Sequence, residues 1–119
     1  MKHTITSNTE VNSLFQEAPR SVQKNIIMLM SVELPEHALA GRVAYVAGKR
    51  LGTAPTRNRA KRLLREAARA EGAPWPALRV VLIAREACLQ AGLADIRRDI
   101  AKGLQILVDE GGQPRQDLA

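Results

Sequence analysis

Apolar positions in this chain come in short runs, set off by Pro, Gly and charged residues. Val11, Leu14 and Phe15 recur at i, i+3, i+4 behind Ser7 and Asn8, either of which can cap a short helix reaching about Glu17. Residues 1–7 read as a loose end, and Ala18-Pro19-Arg20 closes the helix. Ile26 to Val32 is a β-rich apolar run, a strand covered on at least one face, whose methionines fill gaps in a core. Arg42 to Ala47 predicts the next strand. Gly48 to Gly52 follows as a loop, or as one more short strand around 48–53. Ala60, Leu63, Leu64 and Ala67 share a helical face between Pro55 and Gly72, with Thr56 as cap. Gly72 to Pro76 is a loop, with Trp75 as a lid over the core. Arg79 to Ala84 predicts a central strand, because its apolar run is continuous. Arg85 to Ala91 reads as a linker. A last helix runs from about Leu93 to Val108, with Ile96, Ile100, Leu104, Leu107 and Val108 as its buried stripe and Gly103 as a weak point.

The order helix, strand, strand, helix, strand, helix implies a small α+β sandwich, with helices on one small mixed sheet. At 119 residues, the chain is expected to form a single domain over 1–119, loose at about 1–7 and 111–119. Aromatic content is only 3%, so the core is expected to be aliphatic.

Charge changes the picture at one place. Lys49 to Arg69 holds eight basic residues and one acid, Glu66, so it carries +7 while the whole chain carries +6. Arg57, Lys61, Arg65 and Arg69 step by four along the face opposite the apolar stripe, with Arg62 beside them. Cations near a helix N-terminus oppose the macrodipole, at about 0.3–1 kcal/mol each when exposed. A bound polyanion removes that penalty, since phosphate suits both the helix end and the cations. The pattern therefore points to a nucleic-acid surface rather than a merely solvated face. Arg97, Arg98 and Lys102 are interleaved with Asp95 and Asp99 and read as solvated.

No metal-ligand spacing is present, with one cysteine and two separated histidines, and no nucleophile, base and orienter stand out. Catalytic and metal residues in the protein are thus expected to be none. A lone Cys88, no apolar run of transmembrane length and no apolar stretch near the N-terminus point to the cytoplasm, with no membrane and no disulfide partner.

Lys49-Arg50-Leu51-Gly52, followed by Thr56-Arg57-Asn58-Arg59-Ala60-Lys61-Arg62-Leu63-Leu64-Arg65-Glu66, resembles the signature of the bacterial ribonuclease P protein component. The resemblance implies an α/β sandwich with a left-handed βαβ crossover through the Arg-Asn-Arg helix. It implies a protein that binds a catalytic RNA and assists removal of the 5′ leader from precursor tRNA, the RNA doing the hydrolysis with Mg2+ that it mainly binds itself. It places Lys49, Arg50, Arg57, Asn58, Arg59, Lys61, Arg62 and Arg65 on RNA. It also places Phe15, Val11 and Met30 in a leader cleft between the first helix and the sheet. Phe15 taken alone reads more commonly as a core anchor than as a platform on which a base or sugar stacks. Gly48 stands where the family usually has Ser, Pro55 and Thr56 where it has aliphatic residues, and Val11 and Met30 where aromatics are expected. The alternatives are a generic RNA-binding or ribosome-associated protein, a DNA-binding helix and a protein-only nuclease.

Overall fold

The computed structural model describes residues 4, 5 and 7–109. Helix α1 (Asn8–Glu17) begins where the Glu10 amide donates to Ser7 Oγ (3.2 Å) and ends where the Ala18 amide donates to Leu14 O (3.0 Å), ahead of Pro19. A three-residue strand, β1 (Arg20–Val22), pairs antiparallel with β2 (Ile26–Val32). The remaining elements are β3 (Arg42–Val46), α2 (Ala54–Ala70), β4 (Leu78–Ala84) and α3 (Leu93–Asp109). β4 is interior, antiparallel to β2 on one side and parallel to β3 on the other, giving the order β1-β2-β4-β3.

Alternation along the strands sorts their side chains into two layers. Met28, Met30, Val43, Val80 and Leu82 face α2 and α3, whereas Ile27, Leu29, Ala44, Val81 and Ile83 face α1. Helices therefore cover both faces of the sheet. The Val43 carbonyl accepts from the Ile5 amide (3.0 Å), so it points away from β4, while the Val43 side chain lies in the layer of α2. For an L-residue on an upward strand, that combination puts β4 on the left when α2 is in front. The β3–α2–β4 crossover is left-handed, the rare hand.

Several local expectations change. Ile5 belongs to no loose end: it is buried, and Thr4 bridges to Val43. Residues 1–3, 6 and 110–119, and with them the expected loose tail, lie outside the described residues. Residues 48–53 form no strand: Lys49–Leu51 is a 3₁₀ turn that buries Leu51 and leaves through Gly52 at φ +125°, where a side chain would strain the backbone. Helix α2 starts one residue before Pro55 rather than after it, because the amide that proline lacks has no intrahelical partner in a first turn. Thr53, not Thr56, is the N-cap residue, and Thr56 sits inside the first turn. The span 85–91 is more than a linker, since the 3₁₀ turn Glu86–Gln90 buries Cys88. In α3 the buried stripe is Ile96, Ile100, Gly103 and Leu107, with Val108 exposed. Gly103 is a contact rather than a weak point. A Cβ there would stand 2.8 Å from Met28 Sδ, so glycine lets α3 close onto β2.

One charged network ties α1 to the sheet. Arg42 and Arg79 are register partners on β3 and β4, on the α1 face. Both reach Glu10 Oε2, Arg42 Nη2 at 2.6 Å and Arg79 Nη1 at 2.9 Å. Arg42 Nε also donates to Glu33 Oε2 at 2.8 Å, and the Leu34 amide donates to Glu33 Oε1 at 2.7 Å. Burial pushes the Glu33 carboxyl up, but these hydrogen bonds and the Arg42 charge outweigh it and hold it below its ordinary value. Hydrogen bonding to Glu33 holds the Arg42 guanidinium above its own, with Glu10 adding to it.

Candidate nucleic-acid interface

Helix α2 seats Ala60, Leu64, Ala67 and Ala68 in the core, with Leu63 half-buried at the margin. Its cations are thereby fixed on the remaining arc. Among the described residues, none of Lys49, Arg50, Arg57, Arg59, Lys61, Arg62 and Arg65 has a carboxylate within ion-pair distance. There is no acid in the first turn of α2 and no side-chain cap. Charge of one sign is held in place and left uncompensated, which favours an anionic partner.

The arc has two flanks. On one, Arg57, Lys61 and Arg65 line a cavity of about 450 Å3, whose opposite wall is Val11 and Phe15 of α1 and whose floor is Ala44 to Ala47. Arg57 is steadied by donating from Nε to Ala47 O (3.1 Å), and the Arg65 guanidinium lies 5.1 Å from the centre of the Tyr45 ring. On the other flank, Arg59 Nη2 approaches Leu89 O at 3.5 Å. Asn58 and Arg62 are exposed between the flanks, and Lys49 and Arg50 sit in the turn just before α2.

The family model for ribonuclease P matches residues 1–108. The chain belongs to the ribonuclease P protein family. A ribonuclease P protein component from Symbiobacterium thermophilum is 44% identical over 63 residues, 50% of this chain and 52% of that protein. The chain thus matches about half the length of this curated relative. The RNase P protein of Staphylococcus aureus has the same fold, with a TM-score of 0.74 at 19% identity, covering 89% of this chain and 95% of that one. The RNase P protein from Thermotoga maritima gives a TM-score of 0.70 at 18% identity, covering 85% and 94%.

Within this family member the expected site residues do not form one cluster. Phe15 and Val11 are together in the cleft, half-buried, so Phe15 both packs on the core and shows a surface to the cavity. Met30 is not with them. It shares the alternation of Ile26 and Met28 and therefore lies on the other face of the sheet, in a separate hollow beside Leu107. The strand period of two decides this: Ile27 and Leu29 face α1, so Met30 cannot. Arg57, Lys61 and Arg65 line the cavity together with Phe15, and Arg59 and Arg62 do not.

Tyr45 and the Glu10–Arg42–Glu33–Arg79 network were not singled out by sequence pattern. Tyr45 read only as part of a strand, and the network joins residues distant in the chain. The one available signal was an arginine opening each of two apolar strands, Arg42 and Arg79. Arg98 pairs with Asp95 at 3.2 Å as expected, but Arg97 pairs with Glu71 at 2.8 Å, from the end of α2 rather than from its own helix. Asp99 is not part of that balance. It accepts from the backbone and side-chain amides of Asn25 at 3.1 and 3.0 Å.

Among the described residues, no three His, Cys, Asp or Glu side chains converge on a point where they could hold a metal ion. Nor is any described helix long and apolar enough to cross a membrane.

Proposed function

We propose that this chain is the protein subunit of ribonuclease P. In this reading residues 1–119 act as one RNA-binding domain in the cytoplasm. They bind the catalytic RNA and the 5′ leader of precursor tRNA, and the RNA with its own Mg2+ cuts the leader away. The observation that carries the leader assignment is the cleft, in which a half-buried aromatic ring faces three cations across about 450 Å3. An unstacked base can lie against Phe15 while its phosphates meet Arg57, Lys61 and Arg65, a pairing suited to single strands rather than duplex. Arginine grips phosphate through a planar fork and lysine acts as a point charge. Arg59, Arg62, Asn58, Lys49 and Arg50 are turned away from the cleft and are assigned to the catalytic RNA.

Each protein group then has a limited task. The cations neutralise phosphates and release counterions, and Phe15 fixes a base by stacking worth roughly 1–3 kcal/mol. Val11 adds an apolar stretch of wall but no ring, and Met30 adds nothing there, so leader affinity rests more on charge than on stacking. Holoenzyme affinity for precursor tRNA should therefore fall with salt, by about two more decades of slope than for mature tRNA per decade of salt if three cleft cations engage a single strand. Equal slopes for precursor and mature tRNA would remove the leader from the cleft and leave a general RNA-binding protein.

A further inference from the structure

The trough along α2 is longer than the part that Phe15 serves. The cleft cavity shares Thr4, Tyr45 and Arg65 with a second cavity of about 190 Å3, lined beyond them by Val43, Arg69, Ala73 and Pro74. Arg57 and Lys61 line only the first, Arg69 only the second, and Arg65 both. These four residues lie four apart on one helix, so their positions climb about 6 Å at a time and span about 18 Å. Tyr45 stands at the junction, half-buried, with Arg65 over its ring. Burial pushes its phenol pKa up, with the Arg65 and Arg69 charges pulling the other way. Among the described residues its hydroxyl has no hydrogen-bond partner, and Arg69 has no ion pair.

We propose that single-stranded leader RNA filling the Phe15 cavity continues over the Tyr45–Arg65 pair into the second cavity, where Arg69 takes a further phosphate. Tyr45 is the step between the two compartments, a ring edge and a free hydroxyl offered to one base. The groups assigned to the catalytic RNA support this choice of occupant. Lys49, Arg50 and Arg59 lie near the N-terminal end of α2, and Arg69 is at its C-terminal end. α1 walls the first cavity only, and a single strand with its bases unstacked can lie against Phe15 there and run on past Tyr45 into the second. The inference rests on the reading of the larger cavity as the leader site.

The test uses the reconstituted holoenzyme and precursor tRNAs whose leaders are lengthened one nucleotide at a time. Dissociation constants are measured for the wild type, Arg69→Gln, Tyr45→Phe and Tyr45→Leu, each checked for a native circular dichroism spectrum. Arg69 is exposed, so its variant folds whether or not Tyr45→Leu does. With the wild type, affinity should rise with leader length in two stages. Arg69→Gln should lose the second stage, about tenfold for one charge-assisted phosphate contact, with the loss confined to long leaders. Tyr45→Leu should lose the same stage, and Tyr45→Phe should keep the larger part of it. An Arg69→Gln loss that is equal for all lengths, leaderless tRNA included, would place Arg69 on the catalytic RNA and overturn the proposal. No loss at any length would end the trough at Tyr45 and overturn it too. A wild type indifferent to leader length would instead sink the leader reading itself, and the extension with it.

Discussion

Replacing Glu33 with glutamine tests the anchoring of α1 and the sheet most sharply. The Glu33 side chain is fully buried, and it receives Arg42 Nε at 2.8 Å, Arg42 Nη2 at 3.0 Å and the Leu34 amide at 2.7 Å. Glutamine keeps the volume and one acceptor. It removes the charge and turns an –NH2 toward a donor. Removing one partner of a buried ion pair costs about 3–5 kcal/mol. Arg42 keeps Glu10 at 2.6 Å, so the lower end, about 3 kcal/mol, is expected. For a domain of this size that lowers the thermal midpoint by roughly 10–20 °C. The pH dependence has a defined sign. Glu33 has its folded pKa below the ordinary value, so its stabilisation is full above the unfolded pKa and disappears as pH falls through the folded one. Urea unfolding followed by circular dichroism, at pH 7 and through the acid range, reads both. The wild type should lose the extra stability on acidification and Glu33→Gln should lack that part of the slope. A loss below about 1 kcal/mol at pH 7, the size of an exposed surface pair, would refute the reasoning.

Three further outcomes follow from the same geometry. Arg59→Gln with Arg62→Gln should weaken binding of the catalytic RNA at least tenfold with folding intact, since two charge-assisted contacts are worth roughly 1.5–3 kcal/mol each; Arg97→Gln with Arg98→Gln should change little, and filter binding at fixed salt compares the pairs. Gly103→Ala should destabilise by about 1–2 kcal/mol, because overpacking against Met28 Sδ at 2.8 Å exceeds the helix-propensity gain, and an unchanged urea midpoint would show that Met28 simply moves aside. Cys88 is buried, and burial followed by the Asp99 charge pushes its thiol up, so a thiol reagent should label it only as fast as the protein opens; labelling at the rate seen in urea would contradict its placement.

Where a pattern has a period, the sequence was readable. The stripe of α2, the unbroken apolar run of β4 and the Ser7 cap of α1 each follow a local rule, and each element formed within a few residues of its expected place. β1 left no trace, because its three residues hold only one apolar side chain and its pairing depends on β2. Pro55 does not mark the start of α2, because a helix's first turn tolerates proline. At the site, the cations were legible as a set, since charge density needs no geometry. Their division into two flanks was not, because it depends on where α1 and β3 stand beside α2. Met30 shows the same limit: its apolar character was plain, but only the register of β2 assigns its face. The Glu10–Arg42–Glu33–Arg79 network joins α1, β3, β4 and the residue after β2, which no local rule connects.

One measurement is decisive: cleavage of precursor tRNA by the organism's own ribonuclease P RNA at low magnesium, with and without this protein, and with the protein alone. Strong stimulation that requires both RNA and protein, with no cutting by the protein alone, is the result expected. A well-folded protein that leaves the RNA's cleavage unchanged, or one that cuts without it, would contradict the claim that this chain works by holding RNA for a catalyst made of RNA.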